Sequence, residues 1–226
     1  MIRSTISKMV RSMITTIINP FDGLLSRYFV TLDPVLNSAY EMAQPITFAG
    51  DFEIEFEFST TTTGTYGIII GSTTSQSDFL ALGSTGRVRV QFGGSSLNGT
   101  ILINDGKLHK CKVARISGVI SVFVDGVLDG SYSNAATSTF NTLGRWATNT
   151  YYFNGIIANA KFTDQSGASD VVTTFKLDQA TANTESSVEG NNSVTYVNIP
   201  QSARDLYTLD GNIWTDAVGN TIEVAE

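Results

Sequence analysis

Along residues 52–58 apolar and acidic side chains change places at every step. Phe52, Ile54, Phe56 and Phe58 take one set of positions and Glu53, Glu55 and Glu57 the other. A strand points successive side chains to opposite faces, so this segment needs one covered face and one that meets water or cations. From residue 46 onward no helical period appears, and further candidate strands lie at 46–49, 66–71, 79–82, 88–92, 100–103, 108–116, 119–124 and 154–162. Turn signals separate these runs at Thr63-Gly64, Gly83-Ser84, Gly93-Gly94, Asn104-Asp105-Gly106, Ser117-Gly118 and Asp125-Gly126. Short strands at that spacing predict a mainly β fold, an antiparallel two-sheet β-sandwich or jelly roll. Burying each large apolar side chain contributes roughly 1.5–3 kcal/mol, which makes 52–59 a core strand.

The first nineteen residues follow a different period. Ile2, Ile6, Met9, Val10, Met13, Ile14, Ile17 and Ile18 recur at gaps of three and four, with Arg3, Lys8 and Arg11 on the opposite side and Asn19-Pro20 as a stop. This pattern predicts an amphipathic helix acting as an anchor or oligomerisation element. The apolar run is interrupted by threonines, unlike a secretion signal, and it is too short to span a bilayer. Packing on its own domain, bundling with copies of itself in a homo-oligomer, and lying on a membrane surface are the readings left open. Membrane contact is the less favoured of them. Residues 20–45 are expected to hold a linker and the first strand or strands.

The whole chain of 226 residues carries a net charge of −7, and the basic start leaves −10 for the remainder. Such a surface offers no broad basic face to nucleic acid. Its single cysteine, Cys111, alternates with apolar neighbours and reads as a buried thiol. With His109 the one histidine, a histidine-based triad or a multi-histidine metal site is nearly excluded.

The stretch "NDGKLHKCKVARISGVISVFVDGVLDGS" resembles the strand pair of laminin G-like, concanavalin A-like domains. The matching positions are Asp105, Gly106, His109, Val113, Arg115, Val122, Val124, Asp125 and Gly126, and "FNGIIANAKFTD" looks like the closing strand. The resemblance spans residues 46–164 and implies a jelly roll, with 165–226 as a small β-rich extension docked on the sandwich or a neighbour. Lectins, adhesion modules, pentraxins and glucanases share this architecture, so the fold alone does not choose a function. Phage structural proteins carry it too, and that likeness implies a place on a virion surface among other virion proteins.

Two kinds of chemistry compete for the acidic residues. Glucanases of this architecture carry Glu-x-Asp-x-x-Glu along an inner strand; Glu53, Glu55 and Glu57 lack the central Asp and the bulge. A catalytic pair also needs one carboxyl with a raised pKa. The alternation instead predicts a solvated ladder, with Lys110, Lys112 and Lys161 as partners. The Asp-Gly pairs in "DGVLDG" and "LDGN" suit hairpin turns; calcium, which takes loop oxygens, is the one cofactor they leave open.

The segment "GRWATNTYYFNG" concentrates Arg145, Trp146, Asn149, Tyr151 and Tyr152 in a polar loop. Amphipathic rings on a rigid sandwich suit a sugar face, and they also suit inter-sheet packing or a subunit contact. Tyr66, Asp78 and Asn98 lie in or beside other expected loops and join the candidate set. In the tail, strands are expected at 194–199, 206–209 and 221–224, with Trp214 as a packing anchor. The leading expectation is a non-enzymatic virion attachment or decoration protein presenting a lectin-like sandwich to a host glycan or receptor. A glycan hydrolase using Glu53 and Glu55, and a membrane-surface adhesion protein, are the alternatives.

Overall fold

The computed structural model describes residues 26–74, 76–146 and 151–225. The first half of the chain supplies β1 (Ser26–Leu32), β2 (Ala39–Phe48), β3 (Phe52–Ser59), β4 (Gly67–Gly71), β5 (Phe79–Leu82), β6 (Arg87–Phe92), β7 (Ser95–Leu102) and β8 (His109–Ile116). The second half adds β9 (Val119–Val124), β10 (Val127–Ser133), β11 (Ser138–Leu143), β12 (Gly155–Asp164), β13 (Val171–Phe175), β14 (Thr184–Ser186), β15 (Ser193–Val197), β16 (Arg204–Asp210), β17 (Ile213–Asp216) and β18 (Thr221–Glu223). A 3-10 turn at Gln201–Ala203 is the sole helical element among the described residues. The amphipathic helix expected from Ile2 to Ile18 lies outside them.

Two antiparallel sheets result. One runs β10-β9-β8-β3-β12-β1-β16-β17-β18, with β13 on the far half of β12; the other runs β14-β15-β2-β11-β4-β5-β6-β7. Residues after 165 feed both: β13 and β16–β18 extend the first sheet, and β14–β15 the second.

Between the layers, Phe52, Ile54, Phe56 and Phe58 of β3 are all buried, as their period requires. Phe52 bridges the sheets: it stacks on Phe48 of β2 at 4.6 Å and meets Phe92 of β6 edge-on at 5.6 Å. Buried Arg115 lies over the Phe52 ring, 4.8 Å from its centre. Its guanidinium donates to the carbonyls of Phe48, Gly50 and Ala136, clamping the β2–β3 corner to the segment before β11. Cys111 is fully buried in the same core, and burial pushes its thiol pKa far up.

A second apolar cluster sits on the outer face of the first sheet. Phe29, Ile156, Tyr207, Trp214 and Ile222 form it, with Trp214 edge-on to Phe29 at 5.2 Å. Arg27 covers the pair, 4.2 Å from the Phe29 ring centre. Trp214 is thus a packing anchor that holds the terminal meander.

Candidate functional site

The glutamates of β3 are paired. Glu53 meets Lys112 at 2.8 Å, Glu55 meets Lys110 at 3.4 Å and Lys161 at 3.9 Å, and Glu57 meets Arg27 at 2.8 Å. In register, Glu55 faces Lys112 and Glu57 faces Lys110, so both lysines of β8 lean to the diagonal neighbour, whereas Lys161 meets Glu55 directly opposite. The bulge in β12 brings the Asn159 amide to Glu57 at 2.7 Å. Burial alone would raise the Glu53 pKa, but the Lys112 ammonium and neighbouring Glu55 outweigh it and hold it below the ordinary carboxylate value. That is opposite to what a catalytic acid requires.

The residues of the Asp-Gly-x-x-His and Val-Asp-Gly motifs meet at one strand end. His109 is buried with Nδ1 2.7 Å from Asp125 and Nε2 2.9 Å from Asp105. A histidine donates from both nitrogens only as imidazolium. Burial opposes that charge, yet the Asp125 and Asp105 carboxylates win and raise the His109 pKa. Asp125 also accepts the Lys110 N–H at 2.8 Å, and Asp105 the Lys107 N–H at 2.9 Å. The other Asp-Gly acid of this region, Asp129, accepts the Thr100 and Ile101 N–H groups. Among the described residues no group of three or more His, Cys, Asp or Glu is placed to hold a metal. Nor is any helix there long and apolar enough to cross a membrane.

The aromatic candidates converge on the outer face of the second sheet. Strands β4, β5 and β6 run side by side there, and β-alternation that sends Leu80, Val88 and Val90 into the core turns Phe79, Arg89 and Gln91 the other way. The described residues after β11, 144–146 and 151–153, lie against them. Gly144 N–H binds the Ile69 carbonyl and Ile68 N–H binds the Tyr151 carbonyl, both at 2.9 Å. The Arg145 carbonyl passes so close to Gly71 that a Cβ there would lie 2.5 Å from it. Tyr151 takes φ of +61°, a conformation a bulky residue adopts only when its surroundings impose it.

The side chains close a ring. Tyr66 meets Tyr151 at 6.1 Å, Tyr151 meets Trp146 at 5.8 Å and Trp146 meets Phe79 at 5.3 Å between ring centres. Arg89 completes the circuit, 5.7 Å from the Phe79 ring centre and 5.3 Å from that of Tyr66, whose hydroxyl accepts from Nη1 at 2.8 Å. The open cavity between them has a volume of about 170 Å³, with Ile68 and Gln91 completing its lining. Beside it lies a larger recess of about 630 Å³, bounded by Pro34, Thr62, Thr65, Tyr152 and Asn154 and sharing Tyr66 and Tyr151 with the first. Tyr151, half exposed, stands as the ridge between them.

Three candidates lie elsewhere and one is not described. Arg145 pairs with Glu41. Asp78 is buried and accepts the Gly93 N–H at 2.9 Å, securing the β6–β7 turn. Asn98 is exposed on edge strand β7, in register with Arg89 but outside the ring. Asn149 falls outside the described residues. Phe79 and Arg89, absent from the sequence-derived set, are central to the cavity. Their one signal in the sequence is an aromatic and a cation at outward positions of adjacent strands.

No family model matches the chain, and no curated protein matches it. Solved structures do. A candidate carbohydrate-binding protein from Bacteroides ovatus has a TM-score of 0.64 at 14% identity, over 88% of this chain and 62% of that one. The present chain therefore spans less than two thirds of that protein. A SAP-like pentraxin from Limulus polyphemus gives a TM-score of 0.46 at 11% identity, over 62% of this chain and 75% of that one. Domains LG4-5 of mouse laminin α1 give 0.45 at 17%, over 78% and 49%. With the first of these structures the chain shares its two-sheet antiparallel β-sandwich fold.

Proposed function

We propose that this chain is a non-enzymatic glycan-binding β-sandwich whose site is the ring of Tyr66, Tyr151, Trp146, Phe79 and Arg89. One observation carries this reading: four aromatic side chains and a guanidinium, drawn from four separate segments, enclose an open cavity on a rigid sheet. Small-ligand sites are concave and mostly apolar with a few placed polar groups, and ring faces suit the C–H face of a sugar while hydroxyls bind at the edges. Nucleic-acid bases also stack on rings, but a chain of net charge −7 repels a phosphate backbone. A non-catalytic role is supported by the ladder of β3, where each glutamate has a cation.

A glycan array probed with the full chain and with Trp146→Ala tests the reading. Binding that the substitution abolishes supports it; no binding to any glycan, or equal binding by both, defeats it. Attachment to a host surface as a virion component is the finer form of the proposal and rests on sequence resemblance. Its test is whether the chain is found in purified particles.

A further inference from the structure

We infer that the aromatic ring takes a carboxylate-bearing sugar, with the carboxylate on Arg89. This deepens the glycan reading and rests on it. The acceptor count at the cavity leads there. Arg89 donates once, from Nη1 to the Tyr66 hydroxyl, and among the described residues no carboxylate lies within ion-pair distance of it, whereas Arg27 and Arg145 each hold a glutamate. The buried Nε of Arg89 has no acceptor there, and neither has the buried indole Nε1 of Trp146. Arg89 and Trp146, from different segments, both line one cavity. A guanidinium without an acid partner at the wall of a cavity favours a ligand that brings acceptor oxygens.

Charge decides which oxygens. A guanidinium prefers a planar carboxylate, which it binds with two parallel hydrogen bonds. A cation set without an acid partner beside a cavity walled by low-polarity rings concentrates its attraction for an anion at that point. The first cavity, about 170 Å³, has room for one terminal unit. The neighbouring recess with Thr62, Thr65 and Asn154 offers polar contacts to the next.

The experiment is calorimetric titration of the full chain with paired probes: glucuronides and sialylated oligosaccharides, each beside its neutral counterpart. The acidic member of at least one pair is expected to bind about tenfold tighter or more, with added salt eroding that difference. Arg89→Gln is expected to remove the preference, and Arg89→Lys to retain part of it. Neutral members binding as well as acidic ones, with Arg89→Gln unchanged, overturns the carboxylate assignment and leaves the glycan reading standing. Acidic preference that persists in a folded Arg89→Gln variant overturns the role of Arg89. Failure of every glycan to bind overturns both.

Discussion

Trp146 meets Phe79 edge to face, ring centres 5.3 Å apart and planes 67° apart. The contact fastens the loop after β11 to the outer side of β5, whose inner residues Leu80 and Leu82 are core. Truncating Trp146 therefore acts on site and stability unequally. Trp146→Ala is expected to lower stability by about 1–2 kcal/mol, from the lost aromatic pairs and area, while glycan binding disappears. Denaturant unfolding beside an array measurement separates the two.

Tyr151 supplies a sharper division. It is half exposed and sits at φ +61°, where glycine suffers no Cβ clash. Tyr151→Gly is expected to leave unfolding free energy within about 1 kcal/mol of the parent and to weaken glycan binding clearly. Equal binding by the variant would remove Tyr151 from the site.

The β3 ladder is a structural device, and Glu53→Gln tests it. The pair with Lys112 is partly exposed, so its loss is expected to cost only about 0.2–1 kcal/mol after solvent screening. Glycan binding should not change. Hydrolysis of a glycan by the parent that this substitution abolishes would restore the enzymatic alternative.

His109 predicts a pH dependence of definite sign. Its pKa is raised above the ordinary 6.5 because two carboxylates outweigh burial. The imidazolium therefore contributes stability that is fully present below pH 6.5 and is lost as pH rises through the elevated folded value. Asp105, held below its ordinary 3.8 by Lys107 and His109 despite burial, contributes stability above that value that is lost in acid as pH falls through the lower folded one. Thermal unfolding across pH should fall on the alkaline side of 6.5 in the parent, and His109→Gln should flatten that fall.

Arg115 is fully buried and holds three carbonyls. Arg115→Met keeps much of the aliphatic bulk over Phe52 but strands the carbonyls of Phe48, Gly50 and Ala136. Lost charged hydrogen bonds count about 1.5–3 kcal/mol each, so a loss of at least about 3 kcal/mol is expected in denaturant unfolding.

Strands β3, β5 and β9 were legible to the residue because each is a short run rich in large apolar residues that ends at a turn. Lys110, Lys112 and Lys161 were legible as partners because period two fixes which side chains share a face. β10 and β11 were not, because one is an exposed edge and the other hides Ser138 and Thr142 in the interior, so neither shows an apolar period. β17 was missed because only Trp214 in it is buried. At the site, Trp146, Tyr151 and Tyr66 stood out as loop aromatics. Phe79 and Arg89 read as ordinary strand residues, since only the order β4-β5-β6 brings them under the loop. Asp78 and Arg145 looked like ligand contacts, but each is consumed by the backbone turn or ion pair that shapes the fold.

The most direct measurement uses the chain's two tryptophans. In Trp214→Phe, fluorescence reports on Trp146 alone, because the anchor under Arg27 is gone. Titration with a glycan bound by the parent chain should shift the Trp146 emission and saturate at the concentration at which binding saturates. A glycan that binds while the Trp146 emission stays unchanged would contradict the assignment of the site.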